Sequence, residues 1–209
     1  MNITIFGANG KVGRLIVAQT LKKGYQVVAF TRNPSSFDEQ PGLRVVQGDI
    51  YDEAAVAQAL DGSDVVISAL GSWGTPKKNV LTVGTQHIIP AMEARGIKRI
   101  ISLTGHEAQA SHTPNGLIHS FSRCLLKVFA KKILVDGEQH IRLLEQSQLD
   151  WTVVRSSLMN ERGNPQNFKL TAAWPLPWAT VNRNSVATGM VMMIEDTSWV
   201  RKAPFIVRS

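Results

Sequence analysis

Strand-like and helix-like segments alternate along this chain from its first residues, which predicts an α/β fold: one domain built on a doubly wound parallel sheet. Three observations carry that prediction. Short β-branched runs are separated by helical patterns, the arrangement that produces βαβ units. The strands are near-continuously apolar, as in Val65-Val66-Ile67 and Ile100-Ile101, which suits burial on both faces. The 209 residues are enough for one well-buried domain and too few for two ordinary ones.

Asn2–Phe6 reads as the first strand and Lys11–Lys23 as the first helix, stopped by Gly24. Gln26–Phe30 and Leu43–Gln47 read as the second and third strands. Asp52–Leu60 is a short helix with carboxylates in its first turn, where the helix dipole favours them. Val65–Ala69 is a buried strand, Val80–Arg95 a helix ended by Gly96, and Lys98–Leu103 the next strand. A long helical region is expected from about Leu117 to Gln146, interrupted near Val135–Gly137. Trp151–Arg155 and Phe205–Arg208 complete the strands. The stretch Met159–Val181 holds three prolines and two tryptophans without clean periodicity, and is expected to form a small C-terminal cap or lid on the substrate side.

With 44% hydrophobic and 19% charged residues the composition is globular, not disordered. No apolar run approaches the ~20 residues of a membrane span. Met1-Asn2-Ile3-Thr4 has no basic leader, and glycines begin where an apolar signal segment would continue. The expected setting is therefore cytoplasmic, without membrane contact. The single cysteine, Cys124, excludes an intramolecular disulfide and a cysteine-based metal site; among Leu125, Leu126 and Phe129 it reads as buried filler. The net charge of +7 biases the surface toward anions such as phosphates. The stripe Arg123, Lys127, Lys131 reads as a solvated helix face, so no specific nucleic-acid partner is expected.

The central motif is Gly7-Ala8-Asn9-Gly10-Lys11-Val12-Gly13, between the first strand and the first helix. Early glycines let the backbone turn and approach a pyrophosphate, the last lets helix pack on strand, and the helix N-terminus offers N–H groups to the phosphates. Gly7, Asn9, Gly10, Lys11, Val12 and Gly13 are therefore candidates for dinucleotide binding. An NAD site commonly has a carboxylate at the end of the second strand; here the chain reads Phe30-Thr31-Arg32-Asn33, with no acid before Asp38. Thr31 and Arg32 thus favour NADP(H) over NAD(H), the guanidinium facing the 2′-phosphate. Arg14 can add a second positive charge. Asp49 and Ile50, after the third strand, suit the adenine; Ala69, Leu70 and Gly71 lie at the carboxyl edge where ligands of open α/β sheets bind.

The glycine pattern together with TRNP, GDIYD, SALG, ISLTG and LDWTVVRSSLM resembles the atypical short-chain dehydrogenases/reductases. The likeness is to the NAD(P)H-binding group that includes biliverdin reductase B, flavin reductases and NmrA-like proteins. It covers nearly the whole chain and implies a Rossmann-type core with the dinucleotide along the carboxyl ends of the strands. Ordinary members carry Tyr-x-x-x-Lys, the lysine tuning a tyrosine that passes a proton to a carbonyl. Here the only tyrosines are Tyr25 and Tyr51, both far upstream, and Lys131 and Lys132 have no tyrosine four residues before them. Where the group has an aspartate before Val-Ala, this chain has Ser185, read as a replacement helix cap.

Hydride transfer to a flavin- or quinone-like acceptor needs less side-chain acid–base help than carbonyl reduction, since the cofactor carries the hard step. The expected activity is therefore NADPH-dependent reduction of a small planar acceptor. Ser102, Thr104 and His106, following the fifth strand, are the candidate catalytic residues, and Ser156, with Ser157, can line the nicotinamide amide. A non-catalytic redox sensor and an epimerase relative stand as alternatives. His106, His112 and His119 fit no compact ligand spacing, so no metal is expected.

Overall fold

Alternation along the first strand divides the core into two halves. The computed structural model describes residues 1–73, 75–111, 113, 124, 128 and 130–209. In β1 (Asn2–Phe6), Ile3 and Ile5 face one apolar cluster, while Phe6 belongs to another on the opposite side of the sheet. This period of two is what a strand buried on both faces requires. The remaining strands are β2 (Gln26–Thr31), β3 (Leu43–Gln47), β4 (Val65–Ser68), β5 (Arg99–Gly105), β6 (Asp150–Ser156), β7 (Leu158–Asn160), β8 (Phe168–Thr171), β9 (Thr180–Asn182) and β10 (Phe205–Arg208).

The main sheet has the order β3-β2-β1-β4-β5-β6-β10-β8, and every pairing in it is parallel except β8 with β10. The chain winds outward from β1 to β3 and then restarts on the other side at β4. β1 thus pairs with both β2 (Ile5 beside Ala29) and β4 (Ile5 beside Ile67). Such a reversal opens a crevice at the carboxyl ends of the two central strands.

Among the described residues, helices α1 (Lys11–Lys22) and α5 (Arg183–Met192) cover one face, with Val12, Ile16, Val186 and Met190 in its core. Helices α2 (Glu53–Ala59), α3 (Val80–Ala94) and α4 (Lys131–Gln146) cover the other, with Val56, Ile88, Ile141 and Leu144 buried. None is long and apolar enough to cross a membrane.

Several expectations need correction. α4 runs without interruption through Val135–Gly137, because Gly137 faces β5: a Cβ there would lie 2.8 Å from Thr104 Oγ1. Of the helical region expected from Leu117 to Gln146, α4 is the second part; most of the residues before it, with His112, His119, Arg123, Lys127, Leu125, Leu126 and Phe129, lie outside the described residues. Cys124 is exposed, not buried filler. The cap segment is partly sheet: β8 extends the main sheet, with Phe168 and Leu170 packed on the core and Lys169 outward, while β7 and β9 form a separate parallel pair. Four residues are too few for that alternation to stand out in sequence. Trp174 stacks 4.7 Å from Phe205, beside the buried Arg155 guanidinium, 3.7 Å from the Phe205 ring centroid. Ser185 is not the cap of α5. Asn182 caps it by accepting from the Asn184 N–H, and the Ser185 hydroxyl donates to the Pro165 carbonyl.

α4 is tied to the sheet by a buried polar contact. The Thr85 hydroxyl donates to the Leu81 carbonyl (2.7 Å), so its oxygen accepts from His140 Nδ1–H at 2.6 Å. His140 Nε2 then accepts from the Ser102 hydroxyl at 2.8 Å. Burial, opposed by the charge of Asp136, pushes His140 down from 6.5 to about 4. Between these values the unfolded chain binds a proton that the folded protein refuses, so stability falls as pH drops from 6.5 toward 4. At ~1.36 kcal/mol per pH unit the loss is about 3 kcal/mol. Urea unfolding at pH 7 and pH 4.5 checks this: His140→Gln flattens the decline, and an equal decline in both proteins refutes the assignment.

Candidate functional site

The crevice at the carboxyl ends of β1 and β4 starts where two backbones touch. Gly7 follows β1 with φ of +74°, and a Cβ there would lie 2.7 Å from the Ala69 carbonyl carbon and oxygen and 2.9 Å from the Leu70 nitrogen. The turn closes through the Gly10 N–H, which donates to the Gly7 carbonyl at 3.0 Å. Gly13, on the first turn of α1, would place a Cβ 2.1 Å from the Gly7 oxygen, so only glycine lets helix and strand approach this closely. Gly10 differs: its Cβ would meet only the Gly7 oxygen, at 3.2 Å, and its outer side is open.

The start of α1 has no side-chain cap and no acidic residue in its first turn. Asp52 caps α2 and Asn182 caps α5, while α3 and α4 also begin without a side chain of their own as cap. Asn9, Gly10 and Lys11 are exposed there, whereas Val12 is buried in the core. Arg14 donates to the Asn9 carbonyl and side chain, and its guanidinium lies 5.3 Å from the Phe37 ring centroid. The arrangement suits an anion at the head of the helix.

Thr31 is buried, its hydroxyl oxygen accepting from the Asn33 N–H at 3.2 Å, and the turn it builds leaves Arg32 exposed at the carboxyl end of β2. Across the cleft, Asp49 accepts the Tyr51 N–H at 3.1 Å, and Ile50 packs with Leu70 against Gly84 of α3. Sequence reasoning missed Tyr51, whose hydroxyl donates to Asn79 at 2.9 Å while Lys77 Nζ lies 3.7 Å from its ring centroid. Burial raises its phenol above the ordinary value, aided by the charges of Asp136 and Asp49, and Arg32 opposes them. Arg32 and Tyr51 therefore share one electrostatic neighbourhood.

At the carboxyl edge, Ala69 and Leu70 are half-buried and Gly71 is exposed. The candidate catalytic residues separate. Ser102 is fully buried with its hydroxyl held by His140, so it touches no ligand in this arrangement. Thr104 is buried beside Gly137. His106 lies just past the edge; its backbone N–H donates to the Ser156 carbonyl at 2.9 Å, and Nε2 sits 3.1 Å from Glu107 Oε1 without hydrogen-bond alignment. The Ser156 hydroxyl donates to the Ser157 carbonyl, and the Ser157 hydroxyl is buried with no hydrogen-bond partner among the described residues. Asp136 and His140, one turn apart on the apolar face of α4, were also missed. A polar pair among Leu134, Ile141 and Leu144 was their only sequence signal. A hollow of about 310 Å³ beside Asn2, Gln26 and Gly62 lies at the opposite edge of the sheet, away from these groups.

The two inner glycines separate stability from binding. Gly10→Val is expected to fold and to lose NADPH binding, because its side chain enters the open space before α1. Gly13→Val meets backbone at 2.1 Å and should cost about 3 kcal/mol of stability, the upper end of overpacking. Chemical denaturation and NADPH titration of both variants check this. A Gly13→Val protein as stable as wild type, or a Gly10→Val protein that binds normally, contradicts the geometry.

Comparison with known proteins agrees with this fold. A 2-alkyl-3-oxoalkanoate reductase from Stenotrophomonas maltophilia is 31% identical over 126 residues, covering 56% of this chain but only 38% of that protein. The structure of ChuY, an anaerobillin reductase from Escherichia coli, superposes with a TM-score of 0.82 at 20% identity, over all of this chain and 97% of the other. A short-chain dehydrogenase/reductase from Veillonella parvula in complex with NADP gives a TM-score of 0.78 at 18% identity, over 99% and 94% of the two chains. At these identities the structural likeness is one of fold. The sequence profile of the NAD(P)H-binding family matches residues 7–197, and the chain belongs to that family.

Proposed function

We propose that this protein is an NADPH-dependent reductase of a small planar acceptor of flavin or quinone type. The observation that carries the reading is the combination at the cleft: an open helix N-terminus over a glycine floor, with no tyrosine at the acceptor side. Tyr25 donates to Glu195, near Lys23 beyond the C-terminal end of α1, and Tyr51 stands by Asn79 and Lys77. An acceptor that takes its proton from water tolerates this absence, whereas a simple ketone does not.

In this reading, Gly7, Gly10 and the first turn of α1 hold the pyrophosphate, and Arg32 receives the 2′-phosphate with Arg14 nearby. Asp49 and Tyr51 flank the adenosine, and Ala69–Gly71 with Ser156 line the nicotinamide end. A bound nicotinamide would supply the hydride. Among the described residues, Thr104, His106 and the Ser157 hydroxyl, which has no hydrogen-bond partner among them, can orient a polar group of the acceptor or pass it a proton. The NADP carried by the Veillonella neighbour supports the cofactor, and the Stenotrophomonas relative is named a reductase, although its named substrate is a 3-oxoalkanoate and not a planar acceptor. A binding-only role is the second reading, favoured by the burial of Ser102.

NADPH oxidation with FMN, FAD and simple quinones at varied concentration separates the two. Saturable turnover supports the reductase, and rates at background with every acceptor refute it. Arg32→Ala is expected to weaken NADPH binding by about 1.5–3 kcal/mol, the range for a charge-assisted hydrogen bond, and to leave NADH nearly unchanged. Titration with both cofactors decides this, and equal losses would show that Arg32 does not read the phosphate.

A further inference from the structure

Asp136 is a buried carboxylate for which the reading above has no use. Its side chain, 3% exposed, leaves α4 and crosses to the loop joining β4 to α3. One oxygen accepts from the Ser72 hydroxyl and, at 3.1 Å, from the Leu81 N–H; the other accepts from the Thr82 N–H at 2.8 Å and the Thr82 hydroxyl at 2.7 Å. Ser72 opens the loop, while Leu81 and Thr82 begin the helix that closes it, so one carboxylate clasps both ends. Lys78 tightens the same neck by donating to the carbonyls of Ser72 and Thr75.

The clasp reaches the cofactor floor. Three residues before Ser72 stands Ala69, whose carbonyl group lies against Gly7 at the head of the glycine turn. Lys77 and Asn79, on the same loop, hold Tyr51 on the far side of the cleft. The carboxylate also fills the α3 N-terminus, so the charge-favouring end of that helix is taken by the protein itself. α1 keeps its own N-terminus open to an anion.

We propose that Asp136 is the positioning residue of the cofactor site: by clasping the two ends of the β4–α3 loop it fixes Ala69–Gly71 against Gly7 and so sets dinucleotide affinity. The inference rests on the cofactor placement given above. Asparagine in its place has one acceptor oxygen instead of two, so the Ser72, Leu81 and Thr82 donors cannot all be satisfied.

NADPH affinity, read from the fluorescence of the dihydronicotinamide on titration, tests this in four variants well below their melting temperatures. Asp136→Asn should weaken binding about tenfold and Ser72→Ala by a smaller factor, and the double variant should lose no more than Asp136→Asn alone. Leu144→Ala, a cavity in the same helix remote from the loop, should lower stability yet leave the affinity within about twofold of wild type. If Asp136→Asn does not fold, Ser72→Ala and Thr82→Val carry the comparison. An Asp136→Asn protein that binds like wild type, or a Leu144→Ala protein that loses as much, overturns the proposal and leaves the cofactor site where it is. A wild-type protein that binds NADPH without protecting the glycine-loop amides overturns the cofactor placement and the positioning role together.

Discussion

The approach of Gly7 to the end of β4 is the constraint on which the rest of the structure depends. At this point the winding order reverses, and the backbone of the first turn lies against Ala69 and Leu70 with no room for a side chain. Gly13 repeats the condition one layer out, pressing α1 onto the same turn. The contact that lets the sheet wind in both directions also brings the uncapped end of α1 to the mouth of the crevice. Fold and proposed binding site here share one steric requirement.

Much of this was legible in sequence because its signals are local. β1, β3 and β10 fall on the residues expected from their apolar runs. α1 and α3 end within a residue of their predicted limits, with Gly24 and Gly96 at positive φ just beyond them. The glycine turn was readable because its spacing follows from the steric needs of the loop. Illegible were features that depend on distant partners. β7, β8 and β9 are three or four residues each and take their conformation from pairing, not from periodicity. Ser185 looked like a cap, but Asn182 stands at the start of α5, and the serine is used across a loop on Pro165. Ser102 follows an expected pattern along β5, yet the strand's alternation turns it toward His140 and away from the ligand edge.

The same alternation explains how the helix that carries tyrosine and lysine in related enzymes is employed here. α4 presents Asp136, Gly137 and His140 to the sheet, giving a polar seam whose hydrogen bonds are internal. Gly137 admits the Thr104 hydroxyl, His140 takes Ser102 and Thr85, and Asp136 takes the start of α3. A buried carboxylate and a buried imidazole are tolerated because each meets partners of matching polarity. Among the described residues, those at the proposed acceptor side are His106 beside Glu107, Thr104 and the Ser157 hydroxyl.

The central claim is that the dinucleotide lies on the glycine turn at the crossing of β1 and β4. Amide hydrogen exchange with and without saturating NADPH tests it most directly, since bound phosphates engage backbone N–H groups and slow their exchange. The account predicts new protection in residues 8–13 and 69–72, with none around Asn2, Gln26 and Gly62 at the opposite edge. Protection confined to that opposite edge, or NADPH binding with no change in residues 8–13, would contradict it.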